Sequence, residues 1–359
     1  MLFIPHKHLY ISGTSYVSAD EPDYKEVITD ANSRRRMGRL LKMAVWCGLK
    51  SLDGVPSERV AGIITSTGAG FMKDTISFGS SIFDREETLL NPSPFMQSTF
   101  NTASGYIALI RKIHAYNTTY VQQADGFAAS LVDAAMLLDD AGEGDVALVG
   151  AFDEVTPEVD VIRQRLGLYR VGDGFLPLGE GAAAFLLSAA MPTDVSGSCW
   201  VTESSAGPGD NDGSESDSGR GGDANSECST GPLRGSESAS WPCDESGSES
   251  SSDPLHEYGG TSSRSLNGTK DGNAALRFCG LVNLSDLPKC AENPIAELFG
   301  INAGVNLISC ADHVESLGAF RSLLPVLLCK LISEQQIPDG YTAIVDDVNA
   351  DGVIVLLHK

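Results

Sequence analysis

The chain has 359 residues, 42% of them hydrophobic, and a formal net charge of -23 at pH 7. That length and apolar content suit one large core or two fused halves and exclude a wholly disordered polymer. The negative charge repels phosphate, which excludes nucleic acid and anionic membrane surfaces as partners. The first residues, Met1–Tyr10, hold an apolar stretch broken by Pro5, His6, Lys7 and His8, too short for a secretion signal or a membrane span. A soluble cytoplasmic protein is expected. Eight cysteines without a C-x-x-C pair give no zinc pattern, and in a chain of this length they read as reduced thiols. Neither a metal nor a cofactor is expected.

In chain order, Tyr10-Ile11 opens a strand, and apolar residues at helical spacing predict a helix from Arg36 to Leu49. Val60-Ala61-Gly62-Ile63-Ile64-Thr65 reads as a buried strand, followed by the turn Ser66-Thr67-Gly68-Ala69-Gly70. Helices are predicted over Asn101–His114 and Ala128–Leu138, and strands over Thr119–Val121, Val146–Gly150 and Ala182–Leu187. Residues 191–275 are Ser, Gly, Asp and Glu with hardly any apolar periodicity, and they carry about half of the net charge. Such a stretch cannot bury enough apolar area to offset the entropy of ordering, so it reads as a disordered acidic insertion. Order resumes near Leu276, with helices over Asn293–Phe299 and Ser316–Ile332 and strands over Tyr341–Val345 and Gly352–Leu357. The expected organisation is therefore an α/β half over 1–190, the insertion over 191–275 and a shorter α/β half over 276–359.

Three segments occur in an informative order: Tyr120-Val121-Gln122-Gln123-Ala124-Asp125-Gly126-Phe127, Asp145-Val146-Ala147-Leu148-Val149-Gly150-Ala151-Phe152-Asp153-Glu154, and Leu178-Gly179-Glu180-Gly181-Ala182. Together they resemble the β-ketoacyl synthases, the condensing enzymes of fatty acid and polyketide synthesis. In that family a strand leads to a nucleophile at a helix N-terminus, and a second strand and a Gly-Glu-Gly-Ala segment follow. Asn91-Pro92-Ser93-Pro94 with Asn101-Thr102-Ala103-Ser104-Gly105, Ser33–Arg39 and Asn117–Tyr120 add to the likeness, which is nearest to proteins of aryl polyene and flexirubin pigment clusters. The resemblance spans residues 1–190 and, more loosely, 276–359. It implies the thiolase-like fold: two related α/β halves layered α/β/α/β/α, here with the second half shortened.

The family's nucleophile is a cysteine, because a thiolate at a helix N-terminus has a lowered pKa and takes the acyl chain as a thioester. This chain has Gln123 in that place, and Gln122-Gln123-Ala124-Asp125-Gly126 resembles the Glu-Gln-Ala-Gly-Gly of chain length factors, the inactive partners of ketosynthases. A cap at a helix N-terminus is the plainer reading of the same glutamines. The family also uses two histidines. The first is expected near Leu281–Asp286, where none stands, and the second has a counterpart in His313, which would line a vestigial site or simply start a helix paired with Asp312.

By the same resemblance, Phe71, Asp74 and Phe78 fall where chain length factors close the acyl tunnel, against the alternative that the phenylalanines are core. The implied role is a non-elongating subunit that pairs with a Cys-containing ketosynthase, as a heterodimer or else a homodimer, through Thr119-Tyr120-Val121. An acyl carrier protein is the further partner, which the basic run Arg34–Arg39 would contact, although that run also reads as a solvated helix start. The alternatives are a malonyl-carrier decarboxylase or condensing enzyme of the same fold, and a degenerate scaffold.

Overall fold

The computed structural model describes residues 1–122, 125–190, 275–288, 291, 293–349 and 352–359. The expected insertion therefore lies, but for Ala275, outside the described residues. The strands are β1 (Leu2–Phe3), β2 (Leu9–Val17), β3 (Val60–Ser66), β4 (Tyr116–Tyr120), β5 (Val146–Asp153), β6 (Arg170–Val171), β7 (Gly174–Phe175), β8 (Gly181–Ser188), β9 (Arg277–Asn283), β10 (Val305–Ser309), β11 (Tyr341–Val345) and β12 (Val353–His358). The helices are α1 (Ala31–Arg36), α2 (Arg39–Ser51), α3 (Met72–Asp84), α4 (Pro92–Gln97), α5 (Thr102–Arg111), α6 (Asp125–Asp140), α7 (Pro157–Leu166), α8 (Pro294–Phe299), α9 (Val314–Leu317) and α10 (Leu323–Ser333). Among the described residues no helix is long and apolar enough to cross a membrane.

One hydrogen-bonded path runs β10-β11-β12-β9-β2-β8-β5-β3-β4, with β1 added beside β9. Its midpoint is an antiparallel pairing of two short segments, Leu9 opposite Phe278 and Tyr10 opposite Arg277. Outward from that junction the first half runs β2-β8-β5-β3-β4 and the second β9-β12-β11-β10. Both contain the same sequence of pairings: two antiparallel, then a parallel one, β5 with β3 and β11 with β10. Among the described residues the second half stops one strand earlier.

Side-chain alternation along these strands separates the layers. Ala147, Val149 and Ala151 on β5, Ala183, Phe185 and Leu187 on β8, and Val353, Val355 and Leu357 on β12 all enter one cluster with α6 and α10. The intervening Val146, Leu148 and Phe152, with Ala182, Ala184 and Leu186, pack on α2 and α5. In the second half Val282, Ala343, Ile354 and Leu356 pack on Ile295 of α8. The layers therefore run helices, sheet, α6 with α10, sheet, helix, which is the expected five-layer order with a reduced second half. Strands buried on both faces read as continuous apolar runs, which is why β5 and β8 were legible as strands.

Two expected helices are each divided. The predicted Arg36–Leu49 helix is split at Met37-Gly38, where Gly38 is extended and its N–H donates to Gln97 Oε1 at 2.8 Å. The predicted Ser316–Ile332 helix ends at Leu317, because Gly318 has φ +75° and lies back to back with Gly179. There Gly179 N–H donates to the Ala319 carbonyl at 3.2 Å and Ala319 N–H to the Pro177 carbonyl at 2.7 Å. A Cβ on Gly179 would overlap the Leu317 carbonyl oxygen, and one on Gly181 would press on the Val17 carbonyl. The glycines of the Gly-Glu-Gly-Ala segment are thus where two backbones meet.

We expect Gly179→Ala to lower stability by about 3 kcal/mol or more, since backbone has to move. Gly105→Ala, at an open helical position of α5, should raise it by up to about 1 kcal/mol. Denaturant midpoints of the two variants check both.

Candidate functional site

Parallel strands β3, β4 and β5 end together, and α6 begins beside them. Thr67 N–H donates to the Tyr120 carbonyl at 3.0 Å, tying the turn after β3 to the end of β4. Gly126, in the first turn of α6, stands against Ser66 and Tyr120, and its N–H donates to the Gln122 carbonyl at 2.6 Å. Strand ends meeting a helix N-terminus make a pocket suited to a reactive group. Gln122 is exposed; Gln123 lies outside the described residues. The turn from Val121 to Asp125 contains no thiol. Of the described cysteines, Cys47, Cys310 and Cys329 are buried in the core and Cys279 is half-buried. Burial pushes all four thiols up, away from thiolate character.

The turn after β3 is organised by a residue whose role the sequence did not reveal. Asp153, the last residue of β5, is buried, yet four donors surround it. Oδ1 accepts from Thr67 Oγ1 at 3.0 Å, Gly68 N at 2.8 Å and Ala69 N at 3.1 Å. Oδ2 accepts from Ser322 Oγ at 2.5 Å, a residue of the second half just before α10. Burial raises the carboxyl pKa, and the bonds from Ser322, Ala69, Gly68 and Thr67 oppose the rise. Gly68 has no room for a Cβ because the Arg321 side chain lies over it, and Gly70, at φ +69°, is covered by the Phe100 ring. Two successive amides aimed at one oxygen form an anion nest, here filled by the protein's own carboxylate.

A second polar chain crosses between the halves. Tyr169 OH donates to Asn349 Oδ1 at 2.9 Å, and Asn349 Nδ2 donates to Asp346 Oδ2 at 2.9 Å. Burial raises both the Tyr169 hydroxyl and the Asp346 carboxyl above their ordinary values. Next to it, Asp347 accepts from Ser309 Oγ at 2.6 Å and Ala311 N at 2.9 Å. Each half thus closes its fourth strand position on an aspartate that holds the turn after the neighbouring parallel strand.

Phe71, Asp74 and Phe78 do not share one environment. Phe71 is core, 1% exposed and stacked on Phe152 at 5.2 Å between ring centroids. Asp74 and Phe78 are half-buried on α3, with Phe78 against Phe95 of α4 at 5.2 Å. Burial raises the Asp74 carboxyl. His313 is half-buried in the turn after β10, and its ring makes no hydrogen bond or ion pair to another described residue, so the expected pairing with Asp312 is absent. The segment Leu281–Asp286 forms the end of β9 and a 3-10 turn. Of Arg34–Arg39, Arg34 is bonded to the Ile28 and Thr29 carbonyls and Arg39 to Glu21 and Glu180, which leaves Arg35 and Arg36 exposed.

Residues 14–167 match the family model "Beta-ketoacyl synthase, N-terminal domain". That match spans under half of the chain and likens this N-terminal part to the β-ketoacyl synthases, while the layered α/β fold as a whole is one that ketosynthases share. Two solved structures share that fold over nearly the full length of both chains. The ishigamide ketosynthase/chain length factor is 14% identical with a TM-score of 0.57, covering 98% of this chain and 99% of the other. The type II polyketide synthase acyl carrier protein in complex with its ketosynthase bound to the hexaketide (AntDE:AntF) is 13% identical with a TM-score of 0.56, covering 98% and 99%. The ketosynthase (ApeO) in complex with its chain length factor (ApeC) from Xenorhabdus doucetiae is 16% identical over 50% of this chain and 79% of that chain, with a TM-score of 0.38, too slight a likeness to bear on the fold. No curated protein matches the sequence.

Asp153→Ala leaves four donors facing a cavity and should cost about 3 kcal/mol or more. Asp153→Asn keeps one acceptor oxygen and should cost about 1 kcal/mol. Because the folded pKa is raised above 3.8, the folded state takes up the proton first. This group's contribution therefore falls as pH rises through that raised value, and Asp153→Asn should remove that part of the slope above the ordinary carboxylate range. Denaturation midpoints against pH, wild type minus variant, check the sign.

Proposed function

We propose that this chain is a non-elongating, chain-length-factor-type subunit that pairs with a Cys-bearing ketosynthase in the cytoplasm and shapes the tunnel for the growing acyl chain. The observation that carries the reading is the thiol-free turn between β4 and α6, at the place where a condensing enzyme holds its acyl thioester. An amide in that turn supports no thioester. A chain with the fold intact and the nucleophile missing is suited to work through a partner.

The surface beside that turn supports pairing. Strand β4 is an outer edge of the sheet, with unpaired backbone groups along it. Around it Phe95, Met96, Phe100, Leu109, Tyr116 and Val121 are 40–74% exposed, an apolar concentration beyond what a lone soluble chain usually shows. Two chains related by a two-fold axis would pair β4 with its counterpart antiparallel and bury these side chains together. The ishigamide structure is titled as a ketosynthase with a chain length factor, and the AntDE:AntF structure includes an acyl carrier protein. For this chain we take the same partners, with Arg35 and Arg36 as the exposed cations that an acidic carrier would meet. A polyene acyl chain is the substrate class that the sequence resemblance implies.

Co-expression with a Cys-containing ketosynthase should give a one-to-one complex whose product length depends on this chain. Met96→Glu with Leu109→Glu should leave the single chain folded and weaken the complex about tenfold or more, which corresponds to about 1.4 kcal/mol. Analytical ultracentrifugation and product mass spectra read the two effects. A chain that stays monomeric and leaves product length unchanged contradicts the proposal.

A further inference from the structure

Helix α3 poses a mechanical problem. It has 13 residues and carries Asp74 and Phe78, yet none of its residues is buried in the chain. A helix is ordinarily aimed by an apolar face sunk into a core. Here the main packing partner is α4, itself short and exposed at Phe95 and Met96. Some other contact has to fix the direction in which α3 leaves the sheet.

The last two residues of β5 and the residue after them supply it. Phe152 stacks on Phe71, the residue before the helix. Asp153 gathers Thr67 Oγ1 and the Gly68 and Ala69 amides of the turn that leads into it. Glu154 then accepts from Lys73 N at 2.8 Å, satisfying an N–H of the helix's first turn. Three consecutive residues, two ending β5 and one just past it, thus hold three consecutive pieces of the β3-to-α3 connection. Asp153 also holds Ser322, so the same residue references the connection to the second half.

We propose that Phe152-Asp153-Glu154 is the positioning element that aims α3, and that it sets product length by fixing where Asp74 and Phe78 stand. The second clause rests on the proposed tunnel-shaping role; the first does not. Phe152 supplies a flat apolar stop, Asp153 fixes the turn's shape, and Glu154 fixes the helix's first turn. Because α3 has no buried face to correct a tilt, loss of a single anchor is transmitted along the helix to Phe78.

Glu154 is half-buried, so its replacement tests the idea without emptying the core. Glu154→Ala removes the acceptor for Lys73 N–H, and Glu154→Gln retains an oxygen there. In hydrogen–deuterium exchange of the complex with a Cys-containing ketosynthase, amides of the first two turns of α3 should exchange about tenfold faster in Glu154→Ala than in wild type, with Glu154→Gln near wild type. Product lengths should spread or shift in the same order. Unchanged α3 exchange in Glu154→Ala overturns the anchor. Faster exchange with an unchanged product distribution, while the wild-type chain does control length, overturns the link to specificity. If the wild-type chain has no effect on product length, the tunnel-shaping reading fails, and exchange alone then decides whether the anchor exists.

Discussion

A carboxylate removed from water has to find its donors inside the protein, and Asp153 finds them in two places far apart in sequence. Three come from the turn after β3 and one from the start of α10 in the second half. Burial without these bonds would cost several kcal/mol, so the four donors are obligatory. Much follows from that arrangement. The turn cannot open, Gly68 and Gly70 cannot carry side chains, α3 leaves the sheet in one direction, and the two halves are referenced to each other at the end of β5.

The junction of β2 with β9 gives the halves their relation, and the close contact at Gly179 and Gly318 brings them together a second time. Between these contacts α6 and α10 share one apolar cluster, so neither half has a complete core alone. Among the described residues the second half has no counterpart of the extra strand that β4 provides in the first. Its outermost strand, β10, lies directly beside β11, and His313 follows it in a turn held by Asp347. His313 has no polar partner among the described residues, and no histidine stands at Leu281–Asp286.

The sequence disclosed what depends on local pattern and concealed what depends on distant partners. β3, β5 and β8 were legible because strands covered on both faces become uninterrupted apolar runs. The thiol-free turn before α6 is a statement of the sequence alone, since Gln123 lies outside the described residues. The break at Gly38 was not legible, since the group that holds it, Gln97, lies on α4. The same is true of Gly318, whose conformation answers to Gly179. β9 and β10 escaped notice because β9 mixes Arg277, Cys279 and Gly280 into its run, and β10 is short and exposed at Asn306 and Leu307. Asp153 and Glu154 stood in a quoted motif as the only charges closing an apolar strand, a signal that something must receive them, but their receivers are set by the fold. Phe71 looked like a companion of Asp74 and Phe78, and it proved to be the core contact beneath them.

The strand ends, the start of α6 and the glycine contacts stand together here, and the sequence from Val121 to Asp125 carries no sulfur. The direct measurement is intact-protein and peptide mass spectrometry of the complex with a Cys-bearing ketosynthase after incubation with an acyl-loaded carrier protein. The acyl mass should appear on the ketosynthase alone, with every peptide of this chain unmodified. A stoichiometric acyl adduct on this chain would contradict the proposed role of a non-elongating partner.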